Sequence, residues 1–103
     1  LVAVGRRPRV EPLNLSAANV DYDARGIKVD RKMRSTNKRI YACGDVTGEM
    51  PLTHVAELQA GVIIANKMFK LPRKNSYEVV PAVVYTEPEV AQVGFSIEQC
   101  EAH

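Results

Sequence analysis

The stretch Thr36-Asn37-Lys38-Arg39-Ile40-Tyr41-Ala42-Cys43-Gly44-Asp45 decides how this chain is read. Its polar first half gives way to Ile40-Tyr41-Ala42-Cys43, which has the length and composition of a short buried strand and is ended by Gly44. From Pro51 the period changes. Val55, Leu58, Val62, Ala65 and Phe69 recur at alternating spacings of three and four, and Pro72 stops this predicted helix after Lys67 and Lys70. A strand that brings Gly44-Asp45 to its carboxyl end, with a helix beginning a few residues later, is the edge at which open α/β sheets place ligands. Gly44 lets the backbone come close to a ligand, and an ionised Asp45 accepts hydrogen bonds from hydroxyls such as those of a ribityl or ribose chain. The helix start, Leu52-Thr53-His54, offers unpaired backbone N–H groups and the positive end of the helix dipole, which suit an electron-rich carbonyl or an anion. A lone Gly-Asp pair would read as a plain turn with Asp45 as its cap, so the weight rests on the longer pattern.

Working outward, residues 1–4 form an apolar run that breaks at Gly5-Arg6-Arg7-Pro8 and reads as a short strand. Residues 13–19 can make one helical turn with Asn14 or Ser16 as cap. Residues 20–22 and 27–29 flank Asp23-Ala24-Arg25-Gly26 in a hairpin pattern. Downstream, residues 75–81 read as a linker, 82–85 as a strand, Thr86-Glu87-Pro88-Glu89 as a turn and 90–94 as another strand. Ser96 caps a final helix with Gln99 in the capping-box position, and His103 interrupts it. The chain opens without Met or a polar lead-in, as if inside a strand, and is therefore expected to be a piece of something longer.

Composition narrows the function classes. Over 103 residues, 46% hydrophobic and 25% charged residues exclude intrinsic disorder, a collagen-like chain and a disulfide framework. The longest apolar stretches, 60–65 and 79–85, fall far short of the roughly 18 residues of a membrane span. Residues 1–40 carry ten Lys/Arg against four Asp/Glu, but Tyr22 is the one aromatic residue among them, and aromatic side chains are not interleaved with the basic ones as a nucleic-acid stacking platform requires. Cys43 and Cys100 form no C-x-x-C pair, so neither a zinc site nor a local redox disulfide follows from spacing, and a cytoplasmic setting is expected.

Thr36, three residues, then Ile40-Tyr41-Ala42-Cys43-Gly44-Asp45 resembles the second flavin-binding motif of the FAD-dependent pyridine nucleotide-disulfide oxidoreductases, T-x-x-x-hydrophobic-aromatic-A-x-G-D. Gly48 and Leu52-Thr53-His54-Val55-Ala56-Glu57 carry the resemblance into the helix. Residues 2–8 resemble the strand and turn that close the family's NAD(P)-binding domain, and Gly26-Ile27-Lys28-Val29-Asp30 resembles the hairpin that follows. Residues 81–94 are similar to the opening of the C-terminal dimerisation domain in the glutathione reductase, dihydrolipoamide dehydrogenase and mercuric reductase branch, a domain that thioredoxin reductases lack.

The resemblance implies an α/β fold, α+β within these 103 residues, as part of the Rossmann-like FAD/NAD(P)-binding fold plus the start of the dimerisation domain. It divides the chain into residues 1–10 (end of the NAD(P)-binding domain), 11–74 (central FAD-binding segment) and 75–103 (start of the dimerisation domain). It implies that Asp45 bonds the FAD ribityl chain, that Gly44 allows that approach, that the backbone at Thr53 and His54 faces the flavin pyrimidine edge, and that Gly5 lines the nicotinamide dinucleotide site. Beside these stand plainer readings: Gly5 as a turn glycine, Arg6 and Arg7 as solvated surface, His54 as a satisfied structural histidine, and Cys43 as a small core residue. The whole protein would pass electrons between NAD(P)H, FAD and a disulfide or related acceptor as a homodimer. The G-x-G-x-x-G turn, the C-x-x-x-x-C pair and the terminal His-Pro acid/base segment of the family are absent from these 103 residues. The chain alone is therefore expected to be inactive and to bind FAD weakly; the alternative is a stand-alone, non-catalytic binding module.

Overall fold

A computed structural model of the protein describes residues 1–101. Two 3-10 turns, Glu11–Leu13 and Leu15–Ala18, open the ordered part of the chain. A hairpin of β1 (Tyr22–Asp23) and β2 (Gly26–Ile27), a third 3-10 turn at Asp45–Thr47 and the long helix α1 (Thr53–Met68) follow. A second hairpin of β3 (Ala82–Val84) and β4 (Val90–Gln92) and the short helix α2 (Ile97–Glu101) close it.

The expected single turn over residues 13–19 is two turns. Asn14 separates them in the left-handed conformation at φ 47°, and Asn19 ends the second at φ 53°. Neither Asn14 nor Ser16 caps through its side chain; the asparagines serve because their short polar side chains tolerate this backbone. Leu15 is thereby turned into a small core with Val10, Val20, Ile27 and Ala42.

The β1–β2 hairpin forms where expected but is tighter, with Tyr22 opposite Ile27 and Asp23 opposite Gly26 across the two-residue turn Ala24-Arg25. The Asp23 carboxylate accepts the Arg25 amide at 2.8 Å, which stabilises the turn. This hairpin lies backbone to backbone on the segment after Asp45. A Cβ on Gly26 would run into the Val46 carbonyl oxygen, and one on Gly48 would run into that of Arg25. Both glycines also have positive φ, 140° and 70°. Gly26, which reads in the sequence as part of a turn, and Gly48 thus dock two chain segments.

Residues 40–43, expected as a buried strand, are instead one arm of an irregular antiparallel turn with residues 33–35. The Ser35 amide donates to the Ile40 carbonyl at 3.0 Å, the Ala42 amide to Met33 at 3.2 Å, and Arg34 faces Tyr41. No other strand flanks this arm among the described residues, so it has nothing to pair with as part of a sheet. Ala42 is buried and its neighbour Cys43 is exposed, as alternation along extended backbone requires; Cys43 is not the core residue expected. Thr36 clamps the arm to the preceding loop, its hydroxyl donating to the Asn19 carbonyl (3.1 Å) and accepting the Asp21 amide (2.9 Å). Asn37 adds a 2.7 Å bond to the Ala18 carbonyl.

Helix α1 returns alongside this arm, as the helix of a strand-helix unit does. Tyr41 lies beneath Lys67, whose ammonium is 5.0 Å from the ring centre, and Gly44 packs by Ala56 and Gln59. The expected stripe holds at Val55, Val62 and Ala65, which are buried, but Leu58 is 38% and Phe69 66% exposed. The buried line runs 55, 59, 62, so Gln59 occupies the place and Leu58 lies on its flank. Phe69 lies past the last helical residue. There Lys70 turns left-handed at φ 54°, and the Leu71 amide donates to the Ala65 carbonyl at 3.0 Å.

Two expectations at the chain's ends change. Residues 1–9 form no strand; Leu1, Val2 and Val4 are fully or almost fully exposed, because no partner strand stands beside them among the described residues. The β3–β4 pair is shorter than expected, with Ala82 opposite Gln92 and Val84 opposite Val90. The capping box is present: the Ser96 amide donates to Gln99 Oε1 at 2.9 Å and the Gln99 amide to Ser96 Oγ at 3.3 Å. The interruption expected at His103 lies outside the described residues. Helices and strands together agree with an α/β class, although the strands among the described residues are two separate antiparallel pairs. Among the described residues no helix is long and apolar enough to cross a membrane.

Gly48→Ala should cost about 2 kcal/mol or more, since it adds a Cβ against the Arg25 carbonyl at a left-handed position, and chemical denaturation checks this. Val62→Asp should abolish the cooperative thermal transition by burying an unpaired carboxylate. A retained transition in circular dichroism would mean that α1 is oriented differently.

Candidate functional site

Gly44 and Asp45 sit where the arm 40–44 ends against the first turns of α1. Gly44 adopts φ 80° and ψ −160°, a conformation open to glycine. Its amide donates to Gln59 Oε1 at 2.6 Å, and its carbonyl accepts both the amide (3.0 Å) and the hydroxyl (2.9 Å) of Thr47. A Cβ here would meet the Ala56 methyl at 3.4 Å. Every backbone group of Gly44 is therefore committed. Asp45 opens the 3-10 turn that follows, and its exposed carboxylate has no hydrogen-bond or ion-pair partner among the described residues.

At the start of α1 the Leu52 carbonyl accepts the amides of Val55 (3.0 Å) and Ala56 (3.1 Å). The Thr53 and His54 amides have no acceptor among the described residues, as at any uncapped helix start. The His54 side chain is engaged elsewhere: Nε2 lies 2.7 Å from the Pro81 carbonyl. A carbonyl only accepts, so Nε2 carries the proton. This contact fits the plainer reading of the imidazole as a satisfied structural group and leaves the backbone of Thr53 and His54 open.

Gly5 lies apart from this cluster, in the exposed segment 1–9, with φ 126° and open space around its α-carbon. Arg7 is held by Glu11 at 3.0 Å in an exposed pair. Cys43 and Cys100 are both free thiols on the surface. A cavity of about 590 Å³ lies between the turn around Met33, residues 75–80 and the β3–β4 unit. Asp45, Thr53 and His54 do not line it, and all three are exposed.

Gln59 and Tyr77 escaped the reading of the sequence. Gln59 is completely buried, and its Nε2 donates to the Tyr77 hydroxyl at 2.7 Å. The available signal was a polar residue at helical spacing between Val55 and Val62. Tyr77 carries no comparable sign in a segment that reads as linker.

The comparisons place the chain. Residues 1–60 match the model of the pyridine nucleotide-disulphide oxidoreductases, and the chain belongs to this family, whose cofactors are FAD and NAD(P)H. Among curated relatives it is 40% identical to mercuric reductase of Bacillus cereus over 102 residues, covering 98% of this chain and 16% of that protein. It is 42% identical to dihydrolipoyl dehydrogenase of Chlamydia pneumoniae, covering 98% of this chain and 22% of that protein. Two solved structures superpose with a TM-score of 0.87. One is the Cu(II) complex of the HOCl-induced flavoprotein disulfide reductase RclA of Escherichia coli, at 26% identity, covering 100% of this chain and 24% of that one. The other is LpdA of Mycobacterium tuberculosis, at 30% identity, covering 99% and 22%. The chain thus spans about a quarter or less of the length of these relatives.

Burial raises the Tyr77 hydroxyl above its ordinary pKa, against the opposing pull of the hydrogen bonds from Gln59 and Asn75. The folded chain then holds this proton more tightly than the unfolded chain. Its contribution is intact below the ordinary value of about 10 and lost as pH rises through the higher folded value. Denaturation midpoints should therefore fall between about pH 9 and 11, and Tyr77→Phe should fall less over that range.

Proposed function

We propose that the chain is the flavin-facing part of an FAD-dependent oxidoreductase that, when whole, moves electrons between NAD(P)H, FAD and a disulfide or related acceptor. The observation that carries the reading is the Gly44-Asp45 step. Gly44, whose backbone groups are all bonded within the chain, packs by Ala56 and Gln59 on α1 and leads into an Asp45 carboxylate without a partner among the described residues. It lies near the helix start whose Thr53 and His54 amides are open. These groups fit a flavin nucleotide. The Asp45 carboxylate would accept ribityl hydroxyls, and the Thr53 and His54 amides would donate to the pyrimidine carbonyl edge. FAD, when bound, supplies the two-electron relay between nicotinamide and acceptor. The chain's own residues hold and orient it, and Gly5, on the segment matched to the family, would border the nicotinamide dinucleotide.

The domain division into residues 1–10, 11–74 and 75–103 belongs to the same reading, as does a cytoplasmic homodimer. Val84, Tyr85, Val90, Val93, Phe95 and Ile97 are all exposed around the β3–β4 pair, a concentration of apolar surface suited to burial against further protein. The mercuric reductase and dihydrolipoyl dehydrogenase relatives are named for different substrates, one reduced and the other oxidised.

In the full-length protein Asp45→Ala should weaken FAD retention about ten- to a hundredfold, the loss of a charged acceptor worth about 1.5–3 kcal/mol. Unchanged flavin content after dialysis would remove Asp45 from the site. The 103-residue chain should show no NAD(P)H-dependent turnover and should bind FAD more weakly than micromolar in a flavin fluorescence titration; tighter binding or turnover would make it a functional unit by itself. It should also sediment as dimers or larger species, because its apolar surface and the unpaired edges of its short strands are open.

A further inference from the structure

We propose that Gln59 is a positioning residue: it holds the Gly44 amide, and through it the Asp45 carboxylate, in place for the flavin, and does so with the other end of its own amide held by Tyr77. The proposal rests on the flavin reading above.

The Gly44 amide is a donor and nothing else, so the group facing it at 2.6 Å must be the Gln59 oxygen. The Nε2 group is then aimed at the Tyr77 hydroxyl 2.7 Å away, which accepts. With the amide reversed, two N–H donors would face each other across the Gly44 contact. Gln59 is also fully buried, so neither end has water as a substitute partner. Each bond thus fixes the orientation that the other needs. Tyr77 belongs to residues 75–81, well removed in sequence from Gly44, and this segment is moored at two further points. The Asn75 amide donates to the Arg31 carbonyl at 2.7 Å, and His54 donates to the Pro81 carbonyl. The segment leading to β3 therefore sets the geometry of the step that carries Asp45, with Gln59 as the link.

Amide hydrogen exchange on the chain, read residue by residue by NMR, tests the link directly. Gln59→Met keeps the length and apolar volume of the side chain without its hydrogen-bonding groups. It should speed exchange at Gly44 about tenfold while amides in the middle of α1 keep their rates. Tyr77→Phe should speed Gly44 exchange severalfold by freeing one end of the amide. Gln59→Glu should restore protection, because a carboxylate accepts from both the Gly44 amide and the Tyr77 hydroxyl. Unchanged Gly44 exchange in Gln59→Met, or an equal acceleration at every amide, overturns the positioning role.

In the full-length protein, FAD release followed by flavin fluorescence should be about tenfold faster in Gln59→Met and recover in Gln59→Glu. If Asp45→Ala releases FAD quickly and Gln59→Met does not, the positioning role fails. If Gly44 loses protection in Gln59→Met but neither variant affects FAD, the flavin reading fails instead.

Discussion

A primary amide sealed from water must have both its oxygen and its nitrogen bonded within the protein, and Gln59 meets that demand by joining two segments distant in sequence. Leaving either end open would cost about 1–3 kcal/mol, a large fraction of what a chain of this size can spare. The end of the 40–44 arm, α1 and the approach to β3 are consequently tied together by this side chain, with the His54–Pro81 contact as a second tie between α1 and that approach. The Asp45 carboxylate follows directly in the chain and has no partner among the described residues.

The rest of the framework is held by close backbone contacts and polar side chains as well as by its apolar cluster. Gly26 and Gly48 let the β1–β2 hairpin rest on the segment after Asp45 at a distance that excludes a Cβ on either side. Asp30 accepts the Lys32 and Arg34 amides and the Arg34 guanidinium around the turn that carries Met33 at φ 62°. Those bonds hold its carboxyl below its ordinary value although burial pushes the other way. Thr36 and Asn37, which open the flavin-type motif, bond the loop 18–21. In this motif the first residues build the turn, and the last two meet the open surface.

Apolar surface is distributed to match. The buried cluster of Val10, Leu15, Val20, Ile27 and Ala42 is small, whereas the strand segments 82–84 and 90–92 and the residues around them leave large side chains open. Such surface costs solubility unless something covers it. The relatives, each several times longer than this chain, are proteins in which further chain is available for that purpose.

The motif from Thr36 to Asp45, the helix after Pro51, the hairpin around residues 23–26 and the Ser96–Gln99 capping box were legible in the sequence, because each is specified by local spacing and turn chemistry. Partnership was not. Whether residues 1–4 or 40–43 pair as strands depends on which neighbours are present, and periodicity carries no information about that. The burial of Gln59 in place of Leu58 depends on the angle at which α1 meets the 40–44 arm. The role of Tyr77 depends on residues 75–81 folding back over the helix. The amino acids by themselves determined which groups are candidates to meet a ligand, since the chemistry of a glycine, a carboxylate and a free helix start is local. Tertiary structure alone decided what holds them in place, because a hydrogen bond between residues 44, 59 and 77 exists only once the chain has brought all three together.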